Sequence, residues 1–526
     1  MGVRVSRDVR AALIGLPLAQ AALYSGVVQT EYGPVQGYQA FNESQEGLSA
    51  NWADVAVWKG IPFAATTAGE NRWRPPQAAN PWNTTFDAGE FGNICPGVLT
   101  DAGTYTVSED CLNLNVWSSA NSSDAKLPVV MWSCPAESTA ADSEFNGGGM
   151  ADAGVVFVSY NSRTGVLGSL ATPELSEERY EAVGVNSSGN WAMLDQQAAL
   201  KWIHANIAAF GGDPDHITVQ GQSAGSAASY HVVNSPLVAG LIVGAIIESG
   251  VRDPHDPLCT SLAEAYDNQT TAIAHGEEYL TSLGVSTIAE ARNLSLDTVL
   301  AATFGGKTAA IDYYAMPSTY LEELLQGPAN DVPIITGNTR DESGATYDLQ
   351  LTYAEYLQDL NETFSGEWFE RFFEAYPANE SGNAGVPYNA QWSDRSKVGT
   401  YFWTLLWQIS ASSPVYNYYW DHAPPGQSSG AYHESEIYYA LNNLYANAEQ
   451  FPWTADDYAI AQELNGYWVN FIKTGNPNGG NLTYWPAASN ASQAVQHVGD
   501  GWGQIPVAHD YQVQLFSEWF NTLVAY

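Results

Sequence analysis

The pentapeptide Gly221-Gln222-Ser223-Ala224-Gly225 constrains this chain more than any other stretch. The apolar run Ile217-Thr218-Val219 leads into it and the small-residue segment Ser226-Ala227-Ala228-Ser229 leads out, which reads as strand, tight turn and helix. A serine at the apex of such a turn projects its hydroxyl outward, and glycines two residues to either side let the backbone pass close to itself without a Cβ clash. Ser223 is therefore a candidate nucleophile. Gly426-Gln427-Ser428-Ser429-Gly430 repeats the spacing, but it follows Ala423-Pro424-Pro425 with no strand entering and no helical pattern leaving, so it reads as a loop.

Charge removes whole classes of partner. With 18 basic against 57 acidic residues among 526, the formal net charge is −39, which repels nucleic-acid phosphates and anionic membrane surfaces. The acidic residues are scattered, as on a solvated acidic surface, and do not form a tail. Residues 1–21 carry Arg4, Arg7 and Arg10, then an apolar stretch with Ala19-Gln20-Ala21 as a small-residue cleavage pattern. This is the pattern of a secretory signal peptide, too short to span a bilayer, and no other stretch is long and apolar enough to anchor the chain. Ten Asn-x-Ser/Thr sequons, at Asn42, Asn83, Asn121, Asn186, Asn268, Asn293, Asn361, Asn379, Asn481 and Asn490, fit a secreted glycoprotein made by a eukaryote.

Four cysteines in an exported chain allow three pairings. Cys95 and Cys111 bracket a short loop, and closing it stabilises the fold by about 3 kcal/mol on the chain-entropy scale. Cys134 and Cys259 then either pair with each other or stay as buried thiols. The spacings do not match a zinc site, so neither a metal nor a cofactor is expected.

Along the chain, Val27 to Tyr38 reads as two short strands around a Gly-Pro turn, whereas Ile61 to Ala64 and Trp73 to Pro76 read as loop. Leu127 to Trp132, Val155 to Tyr160, Gly244 to Glu248, Val332 to Thr336 and Val415 to Trp420 are short apolar runs bounded by turn residues, as buried parallel strands are. Between Asn190 and Phe210 apolar residues recur at helical spacing, and Gly211-Gly212-Asp213-Pro214 stops that helix. Alternating strands and helices predict an α/β fold with a mostly parallel central sheet and helices on both faces. No repeat, low-complexity run or boundary divides residues 22–526, so one domain is expected.

Several longer motifs carry a family resemblance. Glu109-Asp110-Cys111-Leu112-Asn113-Leu114-Asn115-Val116-Trp117, Asn190-Trp191, Phe210-Gly211-Gly212-Asp213-Pro214, the Ser223 pentapeptide and the C-terminal Thr474-Gly475-Asn476-Pro477-Asn478 occur together in order. The chain resembles the type-B carboxylesterases, the group of the cholinesterases and some fungal lipases, over nearly its whole mature length. The resemblance implies an α/β-hydrolase fold with a catalytic order of serine, acid, histidine. Gly337-Asn338-Thr339-Arg340-Asp341-Glu342-Ser343 resembles the acid loop and puts Glu342 in the acid role, with Asp341 as the rival. Gly430-Ala431-Tyr432-His433-Glu434-Ser435-Glu436 resembles the histidine loop and makes His433 the base, with His216 and His422 as rivals. Glu436 has a capping or supporting role available to it, and His255 a place in the pocket lining. The chemistry needs the trio: an imidazole takes the seryl proton, and a carboxylate fixes its tautomer.

The pattern departs from the family in two places. Where relatives carry His-Gly-Gly-Gly after the strand, this chain has Ser133-Cys134-Pro135-Ala136-Glu137. Proline has no N–H, so the oxyanion donors left are the amides of Ala136, Glu137 and Ala224. Gly147-Gly148-Gly149 offers a substitute, but a surface loop is the expectation for it. Gln222 stands where relatives often carry glutamate, and the Cys95–Cys111 loop is short, so a water-soluble ester is expected in preference to a choline ester or interfacial lipid. The implied protein is a secreted serine esterase, monomeric or homodimeric, acting on a small-molecule ester. An acyltransferase or cyclase on the same acyl-enzyme, or a non-catalytic binding protein, are the alternatives.

Overall fold

Successive side chains of a β-strand point to opposite faces, so a strand apolar throughout must be covered twice. The central strands of this protein are covered in that way in a computed structural model, which describes residues 22–97, 104–259, 265–342 and 344–526. Residues 1–21, where a signal peptide is expected, lie outside the described residues.

Among the described residues the strands in chain order are β1 (Val27–Gln29), β2 (Pro34–Gln36), β3 (Tyr38–Gln39), β4 (Ala56–Pro62), β5 (Phe86–Asp87), β6 (Asn113–Ser118), β7 (Leu127–Ser133), β8 (Val156–Tyr160), β9 (Gly212–Gln222), β10 (Gly244–Glu248), β11 (Tyr266–Asn268), β12 (Ala309–Ile311), β13 (Ile334–Thr339), β14 (Val415–Trp420), β15 (Ala494–Val498) and β16 (Gly503–Pro506). Eleven form one sheet in the order β16-β15-β14-β13-β10-β9-β7-β8-β6-β4-β3. From β15 to β8 neighbouring strands run parallel. The strands outside them on either side pair antiparallel. The fold is α/β-hydrolase, with helices on both faces.

Two apolar layers hold the sheet. Val129, Met131, Val156, Val158, Ile217, Val219, Ala245 and Ile247 join one cluster with helices Trp191–Asn206 and Ala224–Asn234. The residues between them, among them Val130, Trp132, Phe157 and Ile246, join the opposite cluster with helix Ala455–Thr474. Fully burying a Val, Ile or Met side chain contributes roughly 1.5–3 kcal/mol, so both layers are needed to fix the strand register. The helix before β9 continues as a 3-10 turn, Ile207–Phe210, and stops at Gly211 with φ 80°.

Two expectations are corrected. Ile61 and Pro62 are not loop: they end β4, past a register shift at Trp58/Ile61 where Gly60 takes φ 67°. Proline is tolerated there because a strand end beside a bulge has no ladder bond to lose. Gly147-Gly148-Gly149 is not a surface loop but the buried entry to the short helix Gly148–Asp152. A Cβ on Gly149 would lie 2.1 Å from the Asn442 carbonyl oxygen, so the glycines serve close packing.

Candidate active site

Three loops carry the candidate catalytic groups, each at the carboxyl end of a parallel strand, where an open α/β sheet gathers its functional groups; β13 and β14 are neighbours, and β10 lies between β13 and β9. Ser223 follows β9, Glu342 follows β13, and His433 follows β14. Ser223 takes φ 55° and ψ −120°, a strained conformation for a non-glycine residue. Its amide donates to the Glu248 carbonyl of β10 at 3.0 Å. The flanking glycines are obligatory: a Cβ on Gly221 would lie 2.1 Å from the Gly225 carbonyl oxygen, and one on Gly225 would lie 2.0 Å from that of Ser133. The second contact presses the elbow against the end of β7.

The buried Glu342 carboxylate is held at both oxygens. Oε2 accepts from the Thr339 amide at 2.8 Å and from Ser249 Oγ at 3.2 Å, while Oε1 lies 3.1 Å from His433 Nδ1. Burial acts to raise the Glu342 pKa, but the His433 hydrogen bond and charge, Arg252 and the Thr339 amide outweigh it and hold the group below its ordinary value. Burial acts against the His433 imidazolium too, yet Glu342 wins and His433 titrates above its ordinary value. The Nδ1–H tautomer donating to Glu342 leaves Nε2 as an acceptor. In this structure the group beside the free edge is Gln222, whose Nε2 lies 3.3 Å from Nδ1 and 3.4 Å from Nε2. Ser223 Oγ does not hydrogen-bond His433 here. Catalytic contacts of this kind often tighten only around substrate.

The rivals are occupied elsewhere. Asp341 Oδ2 accepts from Arg340 and from the Ala431 amide, tying the two loops together. His216 bonds the Ile472 carbonyl, and His422 lies between Asp457 and Asp500. His255 turns to Asp253 and does not line the cavity beside Ser223, so the expected place in the pocket lining is not borne out. Glu436 precedes helix Ile437–Ala440 without capping it; its buried carboxylate accepts from Tyr418. Ser428 lies in a loop, as its flanks predict.

Ser223 and Ala224 border a cavity of about 490 Å³ that the segment Ser133–Ser138 also lines. Ser138 Oγ bonds the Pro135 carbonyl at 2.8 Å, and Glu137 turns the chain with φ 64°. Among the described residues the amides of Ala136, Glu137 and Ala224 have no hydrogen-bond acceptor. The loop lacking glycine thus reaches a left-handed turn through Glu137, at a cost of order 1–3 kcal/mol. The Cys95–Cys111 disulfide is buried, with Cys95 in the cavity lining. Cys134 and Cys259 do not form a disulfide with each other, and burial pushes the Cys134 thiol well up.

The family model described as Carboxylesterase family matches residues 24–512. The chain belongs to the carboxylesterase family. A fumonisin B1 esterase of Sphingopyxis macrogoltabida is 30% identical over 86% of this chain and 85% of its own. A para-nitrobenzyl esterase of Bacillus subtilis is 29% identical, covering 88% and 92%. Among solved structures, a PNB esterase superposes with a TM-score of 0.73 at 25% identity, covering 93% of this chain and 99% of that one. A Geobacillus stearothermophilus carboxylesterase gives 0.72 at 28% identity with the same coverage. As a carboxylesterase the protein is a carboxylic ester hydrolase acting on small esters. Among its described residues no helix is long and apolar enough to cross a membrane.

Two functional features escaped the sequence. The contact of Gln222 with His433 joins residues 211 positions apart and follows only from the pairing of the strands. Glu434, directly after the candidate base, takes φ 84° and adds a carboxylate whose field acts on His433.

Proposed function

We propose that the protein is a secreted serine esterase that hydrolyses a water-soluble carboxylic ester through an acyl-enzyme on Ser223. The observation carrying this is the Glu342–His433 hydrogen bond of 3.1 Å, with β10 alone between the strand that leads to Glu342 and the strand that leads to a serine held at a strained elbow. Neutral His433, its Nδ1–H directed to Glu342, takes the seryl proton at Nε2 as Ser223 attacks the ester carbonyl. For this the Ser223 hydroxyl comes within hydrogen-bond reach of Nε2, which the Gln222 amide nitrogen approaches at 3.4 Å in this structure. The amides of Ala224, Ala136 and Glu137 receive the oxyanion, and His433 returns the proton to the leaving alcohol. Water then repeats the sequence on the acyl-enzyme.

Secretion is supported by the surface as well as by residues 1–21. All ten sequon asparagines are exposed, whereas the thirteen buried asparagines of the described residues all lie outside sequons. That is the distribution glycosylation requires, since a glycan must stand in solvent.

The test is a panel of short and long p-nitrophenyl esters with Ser223→Ala as control. Short esters are the preferred substrates in this proposal, and the substitution lowers their kcat/KM by at least about 10³-fold. Equal activity of the Ser223→Ala protein contradicts the mechanism.

A further inference from the structure

The charge of the cavity bears on which esters enter it. Among the described lining residues, three side chains could carry charge there: Arg163, His231 and Glu137. Arg163 donates through Nε and Nη2 to both oxygens of the buried Asp195, at 2.8 and 2.7 Å, so its charge is cancelled inside the protein. Desolvation draws His231 down to about 4, leaving it neutral at neutral pH. The thiol of Cys134 and the phenol of Tyr160 are both held protonated by burial. Glu137 differs from all of these. It is exposed, and among the described residues its carboxylate has no ion pair and no hydrogen bond. It stands in the loop that also supplies the candidate oxyanion amides, so its charge is close to any bound ester.

We propose that Glu137 is a specificity-determining residue: its unopposed carboxylate makes the cavity select against esters with an anionic acyl or alcohol part and favour cationic or neutral ones. The inference rests on the serine-esterase proposal for the same cavity. A unit charge acting over the span of a small acyl chain, partly screened by solvent, changes kcat/KM by roughly three- to tenfold, with the sign set by the substrate. The charge of −39 on the whole chain reinforces the discrimination at long range and weakens with salt.

The experiment uses three p-nitrophenyl esters of equal chain length whose acyl chains end in methyl, carboxylate or trimethylammonium. Each is measured with the native protein, Glu137→Gln and Glu137→Asp, at low and high salt, and only ratios within one protein are compared. The native order is cationic, then neutral, then anionic. In Glu137→Gln the anionic-to-neutral ratio rises roughly three- to tenfold and the cationic-to-neutral ratio falls, while Glu137→Asp keeps the native order. Salt flattens the native ratios more than those of Glu137→Gln. If the glutamine variant fails to fold, the native ratios and their salt dependence decide alone. Ratios unchanged in Glu137→Gln, or a native protein that is indifferent to acyl charge, overturn the role of Glu137 and leave the esterase proposal standing. Failure of the native protein to hydrolyse any of the three overturns both.

Discussion

Two histidines bracket one loop, and their settings differ in the way that separates a candidate base from a structural pin. His422 and His433 both follow β14, with the look-alike Ser428 between them, and both face carboxylates. His422 has both ring nitrogens occupied, Nδ1 by Asp500 at 2.5 Å and Nε2 by Asp457 at 2.9 Å. His433 has one carboxylate, Glu342, and its other nitrogen faces a neutral amide. A general base needs one nitrogen oriented and the other free to exchange a proton. His422 therefore holds the loop to helix Ala455–Thr474 and to the turn after β15, whereas His433 retains proton-transfer capacity.

The sharpest way to break this comparison is to exchange the two losses. His433→Ala lowers kcat by about 10⁴-fold or more, because the seryl proton loses its acceptor. His422→Ala leaves kcat within a few-fold and lowers Tm. Comparable loss of kcat in both variants would erase the distinction. Next in size is the acid: Glu342→Gln costs roughly 10³–10⁴-fold in kcat by favouring the wrong imidazole tautomer, while Asp341→Asn acts mainly on stability. Steady-state kinetics beside thermal unfolding separates the two.

The smallest effect is the pH response, and its signs oppose each other. Burial works to lower the pKa of each histidine, and the facing carboxylates raise both above the ordinary value. A raised folded pKa means that each pair stabilises the fold most fully below pH 6.5 and loses that contribution as pH climbs through the elevated value. Activity instead rises over that same climb, because only neutral His433 accepts the proton. Glu342, held below its ordinary value, stays ionised throughout. The acid limb of a kcat/KM profile therefore lies above pH 6.5 in the native protein and is unmoved by His422→Ala.

The same contrast shows what was legible beforehand. The elbow, the acid loop and the histidine loop are local motifs, and the strands beneath them are apolar enough to stand out. Asp341 and Glu342 are neighbours, and only the fold separates them: one oxygen set meets His433 and the other meets Arg340 and the Ala431 amide. β6 gave little strand signal because Asn113, Asn115 and Ser118 interrupt it, yet all are buried. Asn115 accepts from the Gly60 amide and donates to Ala140 and Ser159, so its polarity is met inside the sheet. β15 and β16 are short strands at one side of the sheet, and β15 joins it by pairing with β14, which is distant in sequence. The buried packing of Gly147-Gly148-Gly149 was hidden for the same reason, since the partner of Gly149 is Asn442.

The central proposal, that Ser223 is the nucleophile and His433 its base, is tested most directly by covalent capture. Native protein is treated with a fluorophosphonate probe and the modified peptide is located by mass spectrometry. The expected result is one adduct on Ser223, formed rapidly in the native protein, formed at a similar rate in His422→Ala and strongly slowed in His433→Ala. Folded native protein with no adduct, an adduct on Ser428, or labelling as fast in His433→Ala as in the native protein would contradict it.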